Sequence, residues 1–405
     1  MPSVVGWLDQ SEAQQRKMRE VIALFAESGT VDDIGIGAVR DAFSDLLFPG
    51  LSTVQTRVRY FLFVPWVFQR LDLERVSSAR AVQRAREWEI ELIFSLMRGG
   101  AAEGVIGRDA QAALKQLPSY IYWNGLRSFG IRLFSGSRAD YFGSMDHINR
   151  VGRAHRAEGD DPPVDDARRW QANLPVAPPD LWDSTTLDLA AEEAAFLQER
   201  FVASHPDSLL AHLARAATPV SAEVPFPWDA VEPKTLPAPL AATLEMARYF
   251  SEVIHGASLL YNLLLAEASA ARQLPMAIER QDHYRQRLSE WQAMVDVRRP
   301  AHESVDRHEF WSIFQSSGAN IPWSARQFIN GWLEAVAAGV DIAASDELRR
   351  VIRERERRLK KGLARLSNDR ALETWGGASG VARLDYRWTE GKAAVNDIVA
   401  GLGTT

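Results

Sequence analysis

The sequence predicts an all-α protein, or a mainly α protein with a minor β element, whose helices form two to three subdomains. Apolar residues recur at helical spacing over most of the 405 residues, and serine, glycine and proline mark the segment ends. Hydrophobic residues make up 46% of the chain and charged residues 25%, as in globular proteins. Because this length exceeds one ordinary core, we expect more than one packed unit.

The predicted helices of the first hundred residues cover 11–28, 38–48 and 52–65, and a fourth is capped by Ser77 or Ser78 and reaches about residue 97. The third opens at Ser52, which forms a capping box with Gln55, and Pro65 kinks or breaks it. Segment 118–134 mixes aromatic and β-branched residues with two glycines. This composition fits either a short helix pair or a helix that leads to a hairpin.

Two proline-rich regions suggest domain boundaries. One is an acidic stretch at residues 158–188, and the other spans residues 219–239. They divide the chain into an N-terminal helical domain at 1–157, an acidic and proline-rich linker or crossover with short helices at 158–239, and a C-terminal helical domain at 240–405.

The last third of the chain is strongly helical in pattern, with predicted helices at 240–272, 275–297, 304–315 and 324–338. A further helix, rich in arginine and lysine, begins after Ser345 and extends to residue 366. Glycines at 376, 377 and 380 then indicate tight turns. Residues 384–388 are interpreted as a short strand or an aromatic cap.

Composition excludes several classes of protein. The chain has no cysteine, so disulfides, cysteine-ligated zinc, iron–sulfur clusters and a cysteine nucleophile are excluded. No secretory signal is evident, and apolar stretches are interrupted by charges well before a membrane-spanning length. We therefore expect a cytoplasmic protein without a membrane partner. No cofactor is predicted, because the chain lacks the dinucleotide glycine fingerprint and the P-loop ending.

The most informative feature is the basic segment 349–366. It holds nine basic and two acidic residues, against a net charge of −6 for the whole chain. At 100° per residue, one face carries apolar side chains that are expected to anchor the helix, namely Ile352, Leu359, Leu363 and Leu366. The cations predicted to contact phosphates are Arg349, Arg353, Arg357, Lys360, Lys361 and Arg365.

Acidic groups within the protein itself could also balance the positive charge of segment 349–366, in two ways. Internal arginine–glutamate pairs would make the segment an ordinary solvated helix, although only two acids are present for nine cations. Residues 158–193 hold ten acids and two arginines, so this acidic stretch is an intramolecular candidate.

A second basic surface is predicted in residues 119–156, where six arginines face two aspartates. Aromatic residues lie among them, a combination that suits unstacked bases and their phosphates. The residues singled out are Arg127, Arg132 and Arg138. Alternatively, the aromatic side chains belong to the ordinary hydrophobic core, and this interpretation is favoured for the aromatic residues.

Other polar residues are interpreted as structural. Arg57 or Arg59 is expected to be half-buried and paired with an acid of the preceding helix, Asp41 or Asp45. Glu252, His255 and Asn262 share one helical face and are predicted to form a buried polar pairing. A metal-dependent hydrolase site at His283, His302 or His308 is a weaker hypothesis, because their spacing matches no known metal motif.

Several longer segments resemble a family of uncharacterised bacterial proteins that is catalogued as a domain of unknown function. They are GWLDQSEAQQRKM, GIGAVRDAFSDLLFPGLSTVQTRVRYFLFVPW, PSYIYWNGLRSFGI, HGASLLYNLLLAE, RLKKGLARL, WGGASG and LDYRW, which together cover the chain nearly end to end. The resemblance implies no catalytic residue. Members occur near helicase, methyltransferase and restriction-type genes, which implies a role in defence against foreign DNA.

These observations predict a non-enzymatic protein that binds DNA or RNA or serves as an adaptor in a bacterial multi-protein system. The first alternative is a protein-interaction scaffold whose cationic helix docks on an acidic partner. The second alternative is the metal-dependent hydrolase.

Overall fold

Helices carry nearly all of the regular structure in the computed structural model of this protein. The structure describes residues 32–150, 169–303, 305–315 and 317–403. These residues contain fourteen complete α-helices and no β-strand, only an isolated antiparallel bridge between Arg132 and Trp170. The predicted mainly α fold class is confirmed. The predicted helix at 11–28 lies outside the described residues.

The helices, numbered in chain order, are α1 Gly37–Leu47, α2 Tyr60–Leu73, α3 Ser78–Arg98, α4 Pro118–Ser128, α5 Arg138–Gly143, α6 Ala191–Ser204 and α7 Leu209–Ala216. They continue with α8 Ala238–Ala271, α9 Ala277–Glu303, α10 Arg307–Ser312, α11 Trp323–Ala337, α12 Asp346–Lys360, α13 Asp369–Glu373 and α14 Trp388–Leu402. Residues 145–150 are also helical.

The helix predicted from Ser52 is wrong at its start, because α2 begins only at Tyr60. The Gln55 side chain does accept from the Ser52 N–H at 3.3 Å, but this contact closes a turn. Farther along, the Thr56 N–H donates to the Tyr122 hydroxyl at 2.9 Å. The Tyr122 hydroxyl thus accepts a backbone N–H that a helix starting at Ser52 would have used. This tertiary contact overrides the local capping signal of Ser52 and Gln55.

Two prolines lie inside helices without ending them, so the predicted break at Pro65 is wrong. Pro65 lies within α2, which continues to Leu73 with ten buried side chains. Burial of these aromatic and aliphatic groups offsets the backbone hydrogen bond that proline removes. Pro300 likewise lies inside α9, which extends to Glu303, six residues beyond the predicted end. The segment predicted as strand or cap at 384–388 contains no strand, and Trp388 begins α14.

The described chain divides into two compact units. Unit 1 consists of residues 32–42 and 246–384, and unit 2 consists of residues 43–245 and 385–403. The chain passes between the units within α1 and again within α8. Each unit therefore combines segments that are far apart in sequence. The predicted division at 157/158 and 239/240 stays a prediction.

In unit 1, two tryptophans lock neighbouring helices onto α8. The indole N–H of Trp291, on α9, donates to the Glu252 carbonyl at 2.8 Å. Trp332, on α11, donates in the same way to the next carbonyl, that of Val253, at 2.9 Å. A carbonyl oxygen has two lone pairs, so each can accept an indole without losing its helical bond. Both rings are buried, and they fix where α9 and α11 cross α8.

In unit 2, a cluster of aromatic side chains lies in the core. The ring of Phe61 lies edge-on to Tyr122 and Phe129, with centroids 4.9 and 5.2 Å apart, and Phe201 of α6 closes the cluster. Such edge-to-face contacts add to the stabilisation that burial provides. The predicted assignment of the aromatic residues in 119–134 to the core is thus confirmed for Tyr122, Trp123 and Phe129, which are buried.

Candidate nucleic-acid interface

Helix α12 carries most of the basic segment and forms where its sequence signals predict. The Ser345 hydroxyl accepts the Leu348 N–H and caps the first turn. Two acids occupy that turn and three cations occupy the last turn, which is the arrangement that the helix dipole favours. The helix ends at Lys360, because Lys361 adopts a positive φ of 53°. The predicted extension to residue 366 is therefore wrong.

The buried face of α12 differs from the predicted apolar face. Ile352 is fully buried as expected, but Leu359 is 42% exposed and Leu363 is 74% exposed. Leu363 lies beyond the end of the helix, so it no longer shares the face of Ile352. The inward positions are instead shared by Arg355 and Glu356, both buried.

Arg355 acts as a structural cation. Its guanidinium donates to the carbonyls of Ile34 at 3.0 Å, Gly35 at 3.1 Å and Ser324 at 2.9 Å. It also lies over the ring of Phe328, 5.2 Å from the centroid. Burial lowers the pKa of this arginine, although Asp32 counteracts the effect. Five donors in a rigid fork allow arginine to bind several carbonyls at once, so Arg355 ties α12 to two other segments of unit 1.

Lys360 and Arg365 belong to a buried network centred on Asp33 and Glu356. Lys360 forms an ion pair with Asp33 and lies 3.6 Å from Glu356, and Arg365 lies 3.4 Å from Asp33. Glu356 also accepts the Tyr261 hydroxyl at 2.6 Å and the Arg365 backbone N–H at 2.8 Å. Burial and these two carboxylates raise the pKa of Tyr261 far above its ordinary value. Both cations thus already have acidic partners.

Arg349 is also paired inside unit 1. It forms an ion pair with Glu267 of α8 and donates to the Ala343 carbonyl at 3.0 Å. Three of the six predicted phosphate contacts, Arg349, Lys360 and Arg365, are therefore half-buried and engaged with acids.

The remaining cations form an outer cationic face, defined as Arg350, Arg353, Arg357, Arg358 and Lys361. At ~100° per residue the four that belong to α12 fall within an arc of roughly 140°, and Lys361 directly follows the helix. Glu354 lies within this arc and contacts Arg350 at 3.2 Å and Arg358 at 3.6 Å. Within the part of the chain that the structure describes, Arg353, Arg357 and Lys361 form no ion pair. This face therefore carries five cations for one acid.

The second predicted surface, in unit 2, consists mainly of structural arginines. Arg132 is buried and donates to the carbonyls of Trp123 at 3.3 Å and Gly136 at 3.0 Å. Burial and the charge of Arg127 lower its pKa to about 10. Arg138 is half-buried, lies over the Tyr120 ring and donates to the Ser119 hydroxyl at 2.6 Å.

Only Arg127 of these three is exposed, and it donates to the Leu133 carbonyl at 2.7 Å. An arginine that holds carbonyls inside the protein has few donors left for a phosphate. Arg153 and Arg156 lie outside the described residues.

The predicted structural role of Arg57 and Arg59 is confirmed, but the predicted partners are wrong. Arg59 is buried and binds Glu193 at 2.7 Å, and Arg57 binds Asp397 at 2.8 Å and Asp188 at 3.4 Å. Because these acids lie in segments far away in sequence, a single sequence does not show that they pair with Arg57 and Arg59. Two acids of the 158–193 stretch, Asp188 and Glu193, thus have partners in unit 2. Residues 158–168 of that stretch lie outside the described residues.

A model of the family described as "Family of unknown function (DUF6361)" matches residues 2–400 of the chain. The chain belongs to this family. No curated protein and no solved structure matches it. In the described part of this DUF6361 protein, no helix is both long and apolar enough to span a bilayer.

The three histidines considered for a metal site in this DUF6361 member have different surroundings. His302 is buried and binds Glu252 at 3.1 Å, and His283 and His308 are exposed. Glu252 also binds Arg248 at 3.1 Å and Arg298 at 2.8 Å. Burial alone raises the pKa of Glu252, but the hydrogen bonds of His302 and Arg248 outweigh this effect and lower it. Among the described residues, no three His, Cys, Asp or Glu side chains are close enough to hold a metal ion.

The predicted pairing of Glu252 with His255 and Asn262 does not form. Asn262 instead exchanges hydrogen bonds with the Ser379 backbone at 2.7 and 2.8 Å. His255 is buried, and its pKa falls to about 4 because of burial and the charges of Arg287 and Arg383. The acids that pair with Arg349 and Lys360 are not predicted from the sequence; they are Asp33, Glu267 and Glu356. Only Glu356 left a signal, since it lies four residues before Lys360 on the same helix.

Proposed function

We propose that this DUF6361 protein is a non-enzymatic nucleic-acid-binding or adaptor subunit of a bacterial defence system, working in the cytoplasm. The outer cationic face of α12 would contact the phosphates. The observation that carries this proposal is the presence there of Arg353, Arg357 and Lys361, exposed and without an ion pair in the described residues. The genomic setting implied by the family resemblance supports the defence role.

The dimensions of this face suit a phosphate backbone. Arg350 and Lys361 are eleven residues apart, which corresponds to roughly 16 Å along a helix. Duplex DNA carries one charge per about 1.7 Å of axis, so several phosphates fall within reach. Each phosphate that a cation neutralises releases condensed counterions, and this release supplies the affinity. The carboxylate of Glu354, which is 35% exposed, lies among these cations. Its negative charge weakens the positive potential at the middle of the face.

The test is fluorescence anisotropy with labelled single-stranded DNA, duplex DNA and single-stranded RNA across a salt series between about 50 and 200 mM. The triple variant R353E/R357E/K361E removes three positive charges and adds three negative ones. We expect its affinity to fall roughly 10- to 100-fold at the lowest salt. The slope of log affinity against log salt should shrink by about 2 to 3.

The matched control is R80E/R215E/K234E, which makes the same change in net charge. These three side chains are exposed in unit 2 and form no ion pair in the described residues. If both triple variants lose affinity equally, the effect is one of net charge and the proposed interface is wrong. If the wild type binds none of the three probes at the lowest salt, the nucleic-acid proposal itself fails.

One observation favours an acidic protein as the partner instead. Leu363 is exposed two residues beyond Lys361, and Leu359 is exposed on the last turn of α12. Apolar side chains beside unpaired cations suit an acidic amphipathic segment of another protein. Stable co-purification of such a partner, lost in R353E/R357E/K361E, would select this scaffold function when nucleic-acid binding is absent.

A further inference from the structure

Trp323 lies in unit 1, and the packing of the fold does not explain why its side chain is exposed. Its side chain is 73% exposed, although tryptophan is the residue that gains most from burial. Trp7 lies outside the described residues, and every other tryptophan of the chain is buried or half-buried. Among the described residues the Trp323 ring stacks on no aromatic side chain and on no cation. The protein thus presents this indole to solvent.

The backbone next to the indole contacts α12. Arg355 donates to the carbonyl of Ser324, the residue that follows Trp323, at 2.9 Å. Arg358, a member of the outer cationic face, is one helical turn beyond Arg355 on the same helix. An exposed aromatic side chain and one member of the outer cationic face therefore occur in the same part of unit 1.

The backbone that carries the indole is firmly held. Trp323 is the first residue of α11, and the preceding Pro322 accepts the N–H groups of Ala325 at 2.9 Å and Arg326 at 3.1 Å. The contact from Arg355 fixes the same turn from the side of α12. A side chain on such a turn loses little backbone freedom when a ligand binds, which favours affinity.

We infer that Trp323 is a stacking platform for an unpaired nucleobase, and that the ligand of the outer cationic face is single-stranded nucleic acid. The inference rests on the proposed function and narrows it. In a duplex the bases stack on each other and their faces are closed to a side chain. In a single strand every base offers a π-face, and aromatic residues flanked by cations bind such strands with little regard to sequence.

The experiment compares wild type with Trp323→Ala and Trp323→Phe on three labelled probes. The probes are a single-stranded DNA, a duplex of the same sequence, and an abasic strand that keeps the sugar–phosphate backbone. We expect W323A to weaken binding of the single strand roughly 5- to 150-fold, which is the measured range for one stacked base. W323F should keep part of the affinity, because phenylalanine retains a π-face.

Binding of the duplex and the abasic strand should change less than about twofold, and the salt slope should stay constant, since no phosphate contact is lost. Val297→Ala is the matched control, because it removes an exposed apolar side chain of the same unit that has no π-face and lies outside the proposed interface. Since both side chains are exposed, thermal melting should show each variant folded like the wild type.

Stacking is refuted if W323A leaves single-strand affinity unchanged, or if it weakens all three probes alike. A wild type that prefers the duplex to the single strand would overturn the inference as well. The proposed function has its own readout, because it stands as long as R353E/R357E/K361E loses affinity for any of the probes. If the triple variant loses binding and W323A does not, the outer cationic face remains the proposed interface and the stacking role of Trp323 is rejected.

Discussion

Gly256 shows how one missing side chain can fix a helix crossing. It lies inside α8, where a Cβ would come within 2.7 Å of Cε2 in the Trp291 ring. The glycine lets the indole lie directly on the helix backbone and reach the carbonyl of Glu252. The helix pays about 1 kcal/mol in propensity for this close approach.

We predict that Gly256→Ala destabilises the protein by ~1–3 kcal/mol, because a packed core cannot easily move the Trp291 ring. Gly331→Ala is the matched control: Gly331 lies inside α11, and a Cβ there would meet nothing within 4 Å. The control should be neutral or stabilising by about 0.5–1 kcal/mol. Urea unfolding of the two variants measures the difference. Equal effects would show that Gly256 does not set the approach of α9.

At the scale of the element, α12 separates two kinds of cation by their position around its axis. Arg355 faces inward and holds carbonyls, and Arg353 and Arg357 face solvent. The same residue type thus serves the fold on one side and is available to a ligand on the other. The count of charges alone cannot distinguish these roles, since each arginine contributes equally to the +7 total of the segment.

We predict that Arg355→Met lowers the free energy of unfolding by ~2–4 kcal/mol, since it leaves buried carbonyls without their charged donor. Arg353→Met, two residues away and exposed, should change it by less than about 0.5 kcal/mol. Chemical denaturation of both variants measures these free energies. A stable R355M protein would mean that the contacts to residues 34, 35 and 324 contribute little.

Much of each element could be predicted from the sequence, because its signals are local. Ser345 caps α12, helical periodicity places α8 and α11 to within two residues, and Ile352 is buried as expected. The inward turn of Arg355 could not be predicted, because it depends on carbonyls from residues far away in sequence. The late start of α2 has the same cause, since Tyr122 binds an amide 66 residues distant.

At the scale of the whole molecule, unit 2 is completed by a helix from the other end of the chain. The indole N–H of Trp388, on α14, donates to the Val224 carbonyl at 3.0 Å, and Asp397 binds Arg57. Gly401 lets α14 approach α6 so closely that a Cβ would lie 2.7 Å from that of Ala194. Periodicity indicates which face of α14 is buried, but not which segment covers it.

We predict that deletion of residues 385–405 prevents unit 2 from folding, because it exposes the apolar surface on α6 and leaves Arg57 without Asp397. The truncated chain should lose its cooperative thermal transition and elute as an aggregate in size-exclusion chromatography. Addition of a peptide of residues 385–405 during refolding serves as the control and should restore a soluble species. A truncated protein that melts like the wild type would contradict the role of α14.

The position of α14 has a consequence for biosynthesis. Residues 43–245 leave the ribosome before about 140 residues of unit 1 are made, and only then does α14 follow. At a synthesis rate of ~5–20 residues per second, the wait lasts on the order of 7–30 s. During that time the surface that α14 will cover is open to water. During this interval, a chaperone or a neighbouring nascent chain can therefore bind the surface of unit 2 that α14 later covers.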